Sequence, residues 1–182
     1  MEKFNVPGRG EVSANNQVLF DNLQKGLGMV PNLYAVMAHS DTALGNYLTL
    51  QAGKTSLSKK EKELVNLVVS QENGCRYCQS AHTLLGKMNG FTDEQVLEIR
   101  GGSASFDAKL DALAKFTLEA TAKRGHVSSE TLDRFFAAGY TKGSVVDVII
   151  AIADKVVMNY LHNLTNVAID FPLAPELAKA SA

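Results

Sequence analysis

The chain's two cysteines stand three positions apart, Cys75 and Cys78, and His82 follows four residues after the second. A thiolate is a nucleophile toward O–O and S–S bonds, and a second thiol two residues away can resolve the product into an internal disulfide. On a helix of 3.6 residues per turn the three positions span an arc of about 60°, which makes them one stripe. His82 lies one turn from Cys78 and is its partner by reach. Cys75 falls where the helix begins, so unpaired backbone N–H groups and the positive end of the helix dipole favour its thiolate. These two routes to activation leave open which cysteine attacks.

A proton relay through His82 calls for a carboxylate, and Glu63 and Glu72 are the candidates. Glu63 ranks first because it sits at the margin of an apolar helix arc; Glu72 can support the next helix start through its charge. A carboxylate desolvated beside such a site is expected to have a raised pKa and serve as a base. The same residues admit other readings. Cys75, Cys78, His82 and a glutamate number enough ligands for zinc, although no second CxxC or HxxxH completes a common structural site. Two cysteines can also pack simply as small apolar side chains.

The elements that position these residues are helical, with no strand-like alternation. After an irregular arm (1–13), a helix capped by Ser13 or Asn15 runs to Gly26 and Gly28, and Pro31-Asn32 starts a short segment. Asp41 is the expected cap of a third helix. Ser58-Lys59-Lys60-Glu61 reads as a capping box for a helix to about Gln71, and Gly74 marks the break before the cysteine helix, which ends at Asn89-Gly90. Further helices follow from Thr92, Asp107 and Ser128 or Ser129. A last one begins near Thr141 or Ser144 and continues toward Ala168, ahead of an irregular tail (171–182). This last helix is apolar on most sides, so it is expected at a bundle centre or against a second subunit. On it, Asn159, His162, Asn163 and Asn166 put polar groups on one side, read as a hydrogen-bonded seam or a subunit contact in preference to a pocket wall. His39 and His126, each near a loop, are read as structural or solvated.

The whole-chain properties narrow the function classes. At 182 residues, 46% hydrophobic and 20% charged, the sequence describes one globular domain. A net charge of −1 supplies no field toward nucleic acid or an anionic membrane. The Asp, Lys, Asn and His residues between Val145 and Ile169 exclude a membrane span, and the N-terminus lacks the apolar core of a secretory signal. A cytoplasmic location is expected; in that reducing compartment a CxxC is redox-active or metal-binding before it is structural.

The spacing Glu63-x11-Cys75-x2-Cys78-x3-His82, with Gly28-Met29-Val30-Pro31-Asn32-Leu33 upstream, resembles the AhpD-like alkylhydroperoxidases of the carboxymuconolactone decarboxylase family. The resemblance covers roughly Leu27 to Asn89 in detail and the C-terminal half in helical character alone. It implies an all-α, single-domain fold of about eight helices that assembles into trimers or hexamers. It also implies cofactor-free, thiol-dependent reduction of a hydroperoxide, with a dithiol or thiol protein as reductant. Family members relay protons through a glutamate, two cysteines and a histidine, which map onto Glu63, Cys75, Cys78 and His82. Glu72 matches a subset of the family with a glutamate three residues before the first cysteine. Some members carry a histidine before the second cysteine, where this chain has Tyr77. A decarboxylase or other lyase on the same scaffold, or a CxxC redox sensor, are the alternatives.

Overall fold

The computed structural model describes residues 4–177 and contains nine α-helices and no strand among them. Contacts divide these residues into two compact units, 4–54 with 161–170, and 55–160 with 171–177.

The first unit holds α1 (Ala14–Leu27), α2 (Asn32–Met37) and α3 (Ala43–Gln51), preceded by a 3-10 turn at Arg9–Glu11 within the expected arm. Ser13 caps α1 by accepting from the Asn16 N–H at 3.4 Å, and Gly28 ends it at φ 77°, a left-handed conformation that glycine adopts without penalty. The buried Asn16 side chain donates to the Ala38 and Ser40 carbonyls at 3.2 and 3.0 Å, tying α1 to the turn between α2 and α3. Asp41 does not cap α3 as expected. Thr42 holds the cap position, and the Ser40 hydroxyl accepts from the Ala43 N–H at 3.3 Å, because the turn after α2 brings that oxygen under the helix start. The Asn32 N–H and side chain reach Asp170 and the Ala168 carbonyl at 2.7 and 3.0 Å.

The second unit holds α4 (Lys59–Glu72), α5 (Arg76–Met88), α6 (Asp93–Arg100), α7 (Ala108–Ala122), α8 (Ser129–Ala137) and most of α9 (Lys142–Thr165). α4 is central, with Leu64, Val65, Leu67, Val68 and Val69 sealed against α5, α6 and α7. The predicted capping box starts it: Ser58 accepts from the Glu61 N–H at 3.2 Å, and Glu61 accepts from the Ser58 N–H at 2.8 Å. The Tyr140 hydroxyl donates to the second Glu61 oxygen at 2.8 Å, below the stacked rings of Phe116, Phe135 and Tyr140. Gly86 on α5 lets the cysteine helix approach α4 closely, since a Cβ there would stand 3.3 Å from Leu67.

Thr141 and Ser144 start α9 with reciprocal hydrogen bonds. The helix stops at Thr165, short of the expected Ala168, where Asn166 turns to φ 49°. Its apolar character does not translate into burial all round. Val146 and Tyr160 are 58% and 62% exposed, with Ile149, Ile150 and Val157 on the same open side. No helix among the described residues is long and apolar enough to cross a membrane.

Candidate active site

The turn that presents the cysteines is set by hydrogen bonds at the end of α4. The Gly74 N–H bonds the Gln71 carbonyl at 3.1 Å and the Cys75 N–H bonds the Ser70 carbonyl at 3.0 Å, with Gly74 left-handed at φ 65°. This paired arrangement terminates a helix and aims the chain into the next one. Cys75 is thereby the N-cap of α5, and its sulfur accepts from the Cys78 N–H at 3.3 Å. Both cysteines are free thiols and buried, with 0% and 3% exposure.

The cap position does not make Cys75 the more acidic thiol. Its proton is engaged by Cys78 and its sulfur is buried, and both effects push its pKa well above the ordinary thiol range, outweighing the helix N–H contact. Cys78 moves the other way. The hydrogen bond from Cys75 holds its pKa below the usual value against the cost of burial, helped by the Lys155 charge and the Asn159 amide and opposed by Asp154. The thiolate of this pair belongs on Cys78.

Glu63, on α4, reaches across to α5 and accepts from His82 Nδ1 at 2.7 Å, with Asn66 donating to its other oxygen at 3.4 Å. A carboxylate only accepts, so this contact places the His82 proton on Nδ1 and leaves the Nε2 lone pair as the base. Burial and the Lys155 charge lower the His82 pKa, with Glu63 opposing, so the ring is neutral near pH 7. The raised carboxylate pKa expected for Glu63 is not found. Burial does push it up, but His82, Lys155 and Asn66 together hold it below the ordinary range, and Glu63 stays ionised. Its carboxylate orients and polarises the neutral imidazole through this bond. Glu72, the last residue of α4, is exposed, and the histidine's carboxylate partner is Glu63. Tyr77 packs its ring edge-on against Phe171, 5.5 Å between centroids.

Two neighbours of the site, Lys155 and Arg100, had no role assigned from the sequence, and Asn159 was read only as part of a seam. Asn159 of α9 accepts from Asn73 at 3.0 Å and donates to Ser70 at 3.4 Å, so the expected polar seam joins α9 to the α4–α5 turn at this residue. Its other members differ: His162 meets the Val167 carbonyl at 3.2 Å within the first unit, and Asn163 and Asn166 are exposed. Lys155 is buried one turn before Asn159. The signal for it was present, a charged Asp154-Lys155 pair interrupting an apolar helix, but it served only to exclude a membrane span. Arg100, also buried, binds Gln71 at 2.8 and 3.0 Å, Gln79 at 3.3 Å and the Pro175 carbonyl at 2.7 Å, bracing the cysteine turn and the tail. Among the described residues no group of three or more His, Cys, Asp and Glu side chains is placed to hold a metal ion. His39 and His126 are exposed and outside the site.

The fold has solved relatives. The AhpD core of an uncharacterized peroxidase-related protein from Ralstonia eutropha JMP134 superposes with a TM-score of 0.83 at 18% identity, covering 92% of each chain. An uncharacterized peroxidase-related protein from Silicibacter sp. TM1040 gives 0.78 at 19% identity, over 91% of this chain and 89% of that one. The debrominase Bmp8, as a cysteine-to-alanine variant in complex with 2,3,4-tribromopyrrole, gives 0.75 at 16% identity, over 92% of this chain and 91% of that one. No curated protein sequence is similar enough to be matched. Residues 37–119, which span α4 and the whole cysteine helix, match the carboxymuconolactone decarboxylase family. Over those residues the chain is similar to the carboxymuconolactone decarboxylase family, and its all-helical fold is of the AhpD-like kind.

Proposed function

We propose that this protein is a thiol peroxidase that reduces hydroperoxides at Cys78 and Cys75. The observation that carries this reading is a pair of buried free thiols, the Cys75 sulfur accepting from the Cys78 N–H at 3.3 Å, on the same helix as a His82 held by Glu63 at 2.7 Å. His82 Nε2 accepts the Cys78 proton. The Cys78 thiolate then attacks the outer oxygen of the hydroperoxide, the O–O bond breaks, and Cys78 becomes a sulfenic acid while the alkoxide takes the proton back from His82 as an alcohol. Cys75 attacks the sulfenic sulfur; the S–S bond forms, and the hydroxide leaves with the Cys75 proton as water. A dithiol reductant restores both thiols by exchange. Cys75→Ser and Cys78→Ser are each expected to abolish multi-turnover hydroperoxide reduction with a dithiol donor, and unchanged turnover in both overturns the reading. Peroxide oxidation of the thiols with negligible turnover for every dithiol tried points to a redox sensor, and lyase activity surviving thiol alkylation to the family's decarboxylase chemistry.

The likeness to Bmp8 motivates a second reading, in which the same dithiol takes bromine from an aryl carbon and yields the debrominated arene, HBr and the disulfide. Bromide release from a bromopyrrole, compared with alcohol formation from a hydroperoxide, separates the two. We further propose that a second copy of the chain covers the open face of α9. Val146, Ile150, Ala153, Val157 and Tyr160 recur at alternating spacings of four and three, the seam along which helices pair, with small Ala153 at its middle.

A further inference from the structure

We propose that Lys155 is the resident cation of the thiol site, a positioning residue whose ammonium charge holds Cys78 as thiolate and makes the Cys75–Cys78 disulfide a stronger oxidant. The assignment rests on the thiol reading of the site and adds a residue to it.

Lys155 is 3% exposed, and among the described residues its ammonium makes no salt bridge and no hydrogen bond. Lysine stems ordinarily run outward to leave the charge in bulk water, whereas here almost the whole side chain is covered on the inner side of α9. The neighbours show what this charge acts on. Asn159, one turn along the same face of α9, is bonded to Ser70 and Asn73 in the turn that presents Cys75. The charged and titratable groups that act on Cys78 include Cys75 from α5 and Asp154 and Lys155 from α9, and the same Lys155 charge reaches the Glu63–His82 pair. Glu63 is committed to His82 at 2.7 Å, and His82 is neutral near pH 7. Lys155 is then a cation that favours the Cys78 thiolate, and Asp154 the charge that opposes it.

A redox consequence follows. Reduction with dithiothreitol converts the disulfide to a Cys75 thiol, a Cys78 thiolate and one released proton, with dithiothreitol leaving as its cyclic disulfide. A buried cation stabilises only the product side, because the disulfide carries no charge for it to meet.

The test is the ultraviolet thiolate absorbance of the reduced protein against pH, with Cys78→Ser identifying the transition, followed by equilibration of the disulfide with dithiothreitol. Lys155→Gln is expected to raise the Cys78 midpoint by about one pH unit, a tenfold loss of thiolate, and to lower the potential by about 30 mV if the exchange constant shifts tenfold. Lys155→Arg is expected to titrate like the unmodified protein, and Asp154→Asn to move the midpoint down. A Lys155→Gln midpoint that coincides with that of the unmodified protein overturns the assignment. Should Lys155→Gln fail to fold, Asp154→Asn and Lys155→Arg decide: no downward shift in the first, or an upward one in the second, overturns it equally. These titrations need no peroxide, so a protein that fails to reduce hydroperoxides while the midpoints move as stated loses the peroxidase reading and keeps this one.

Discussion

The two sides of α9 invert the usual distribution of side chains. Lys155 and Asn159 face the interior of their unit, while Val146, Ile150, Val157 and Tyr160 are open. Stability alone would place these the other way round, because burying polar groups costs free energy unless each finds a partner. The difference teaches that the inner side is shaped by the chemistry beside it: Asn159 is fully engaged by the α4–α5 turn, and Lys155 stands in the field of the thiols. The outer side is the face proposed above for a second copy of the chain.

The largest break in this contrast comes from the relay that the inner side surrounds. Glu63→Gln removes the charge that orients and polarises His82, and hydroperoxide turnover is expected to fall by about 10²- to 10⁴-fold with the fold intact by circular dichroism. Next is Asn159→Leu, which strands the Asn73 and Ser70 partners and is expected to cost about 1–3 kcal/mol in urea unfolding, with slower thiol oxidation alongside. Acid should erode the same side. The folded pKa values of His82 and Glu63 both lie below their ordinary values, so the unfolded chain binds more protons as pH falls. Stability is therefore lost first as pH drops below the ordinary histidine value of about 6.5, and again as it falls through the folded value of Glu63. The melting temperature should fall steadily on acidification, and His82→Gln should flatten the upper part of that slope. The smallest effect on the single chain is expected outside: Val157→Lys should change its stability by no more than about 0.5 kcal/mol, yet shift sedimentation toward the monomer if a second copy covers this face.

The inside of the site was largely legible in the sequence. Ser58 with Glu61 and Gly74 with Cys75 use local rules of helix start and stop, which act within a few residues and so survive any tertiary arrangement. Glu63 and His82 could be paired because each lies at a readable position on its own helix, one beside an apolar arc and one a turn beyond Cys78. Lys155 could not be placed, because a helix apolar on most sides gives no direction for inside, and only packing against the α4–α5 turn decides which residues are buried. The relative acidity of the cysteines was hidden for the same reason. The helix dipole favoured Cys75, but Lys155, Asn159 and the contact between the thiols come from the folded site, and they favour Cys78. The open stripe of α9 was visible as hydrophobicity and not as exposure.

The most direct measurement is a thiol count on the reduced protein before and after one equivalent of hydroperoxide, followed by mass spectrometry of the Cys75–Cys78 peptide. The account predicts loss of both thiols, one alcohol formed per chain, and a peptide lighter by two hydrogens with its two sulfurs joined. Both thiols surviving with the hydroperoxide unconsumed would contradict it.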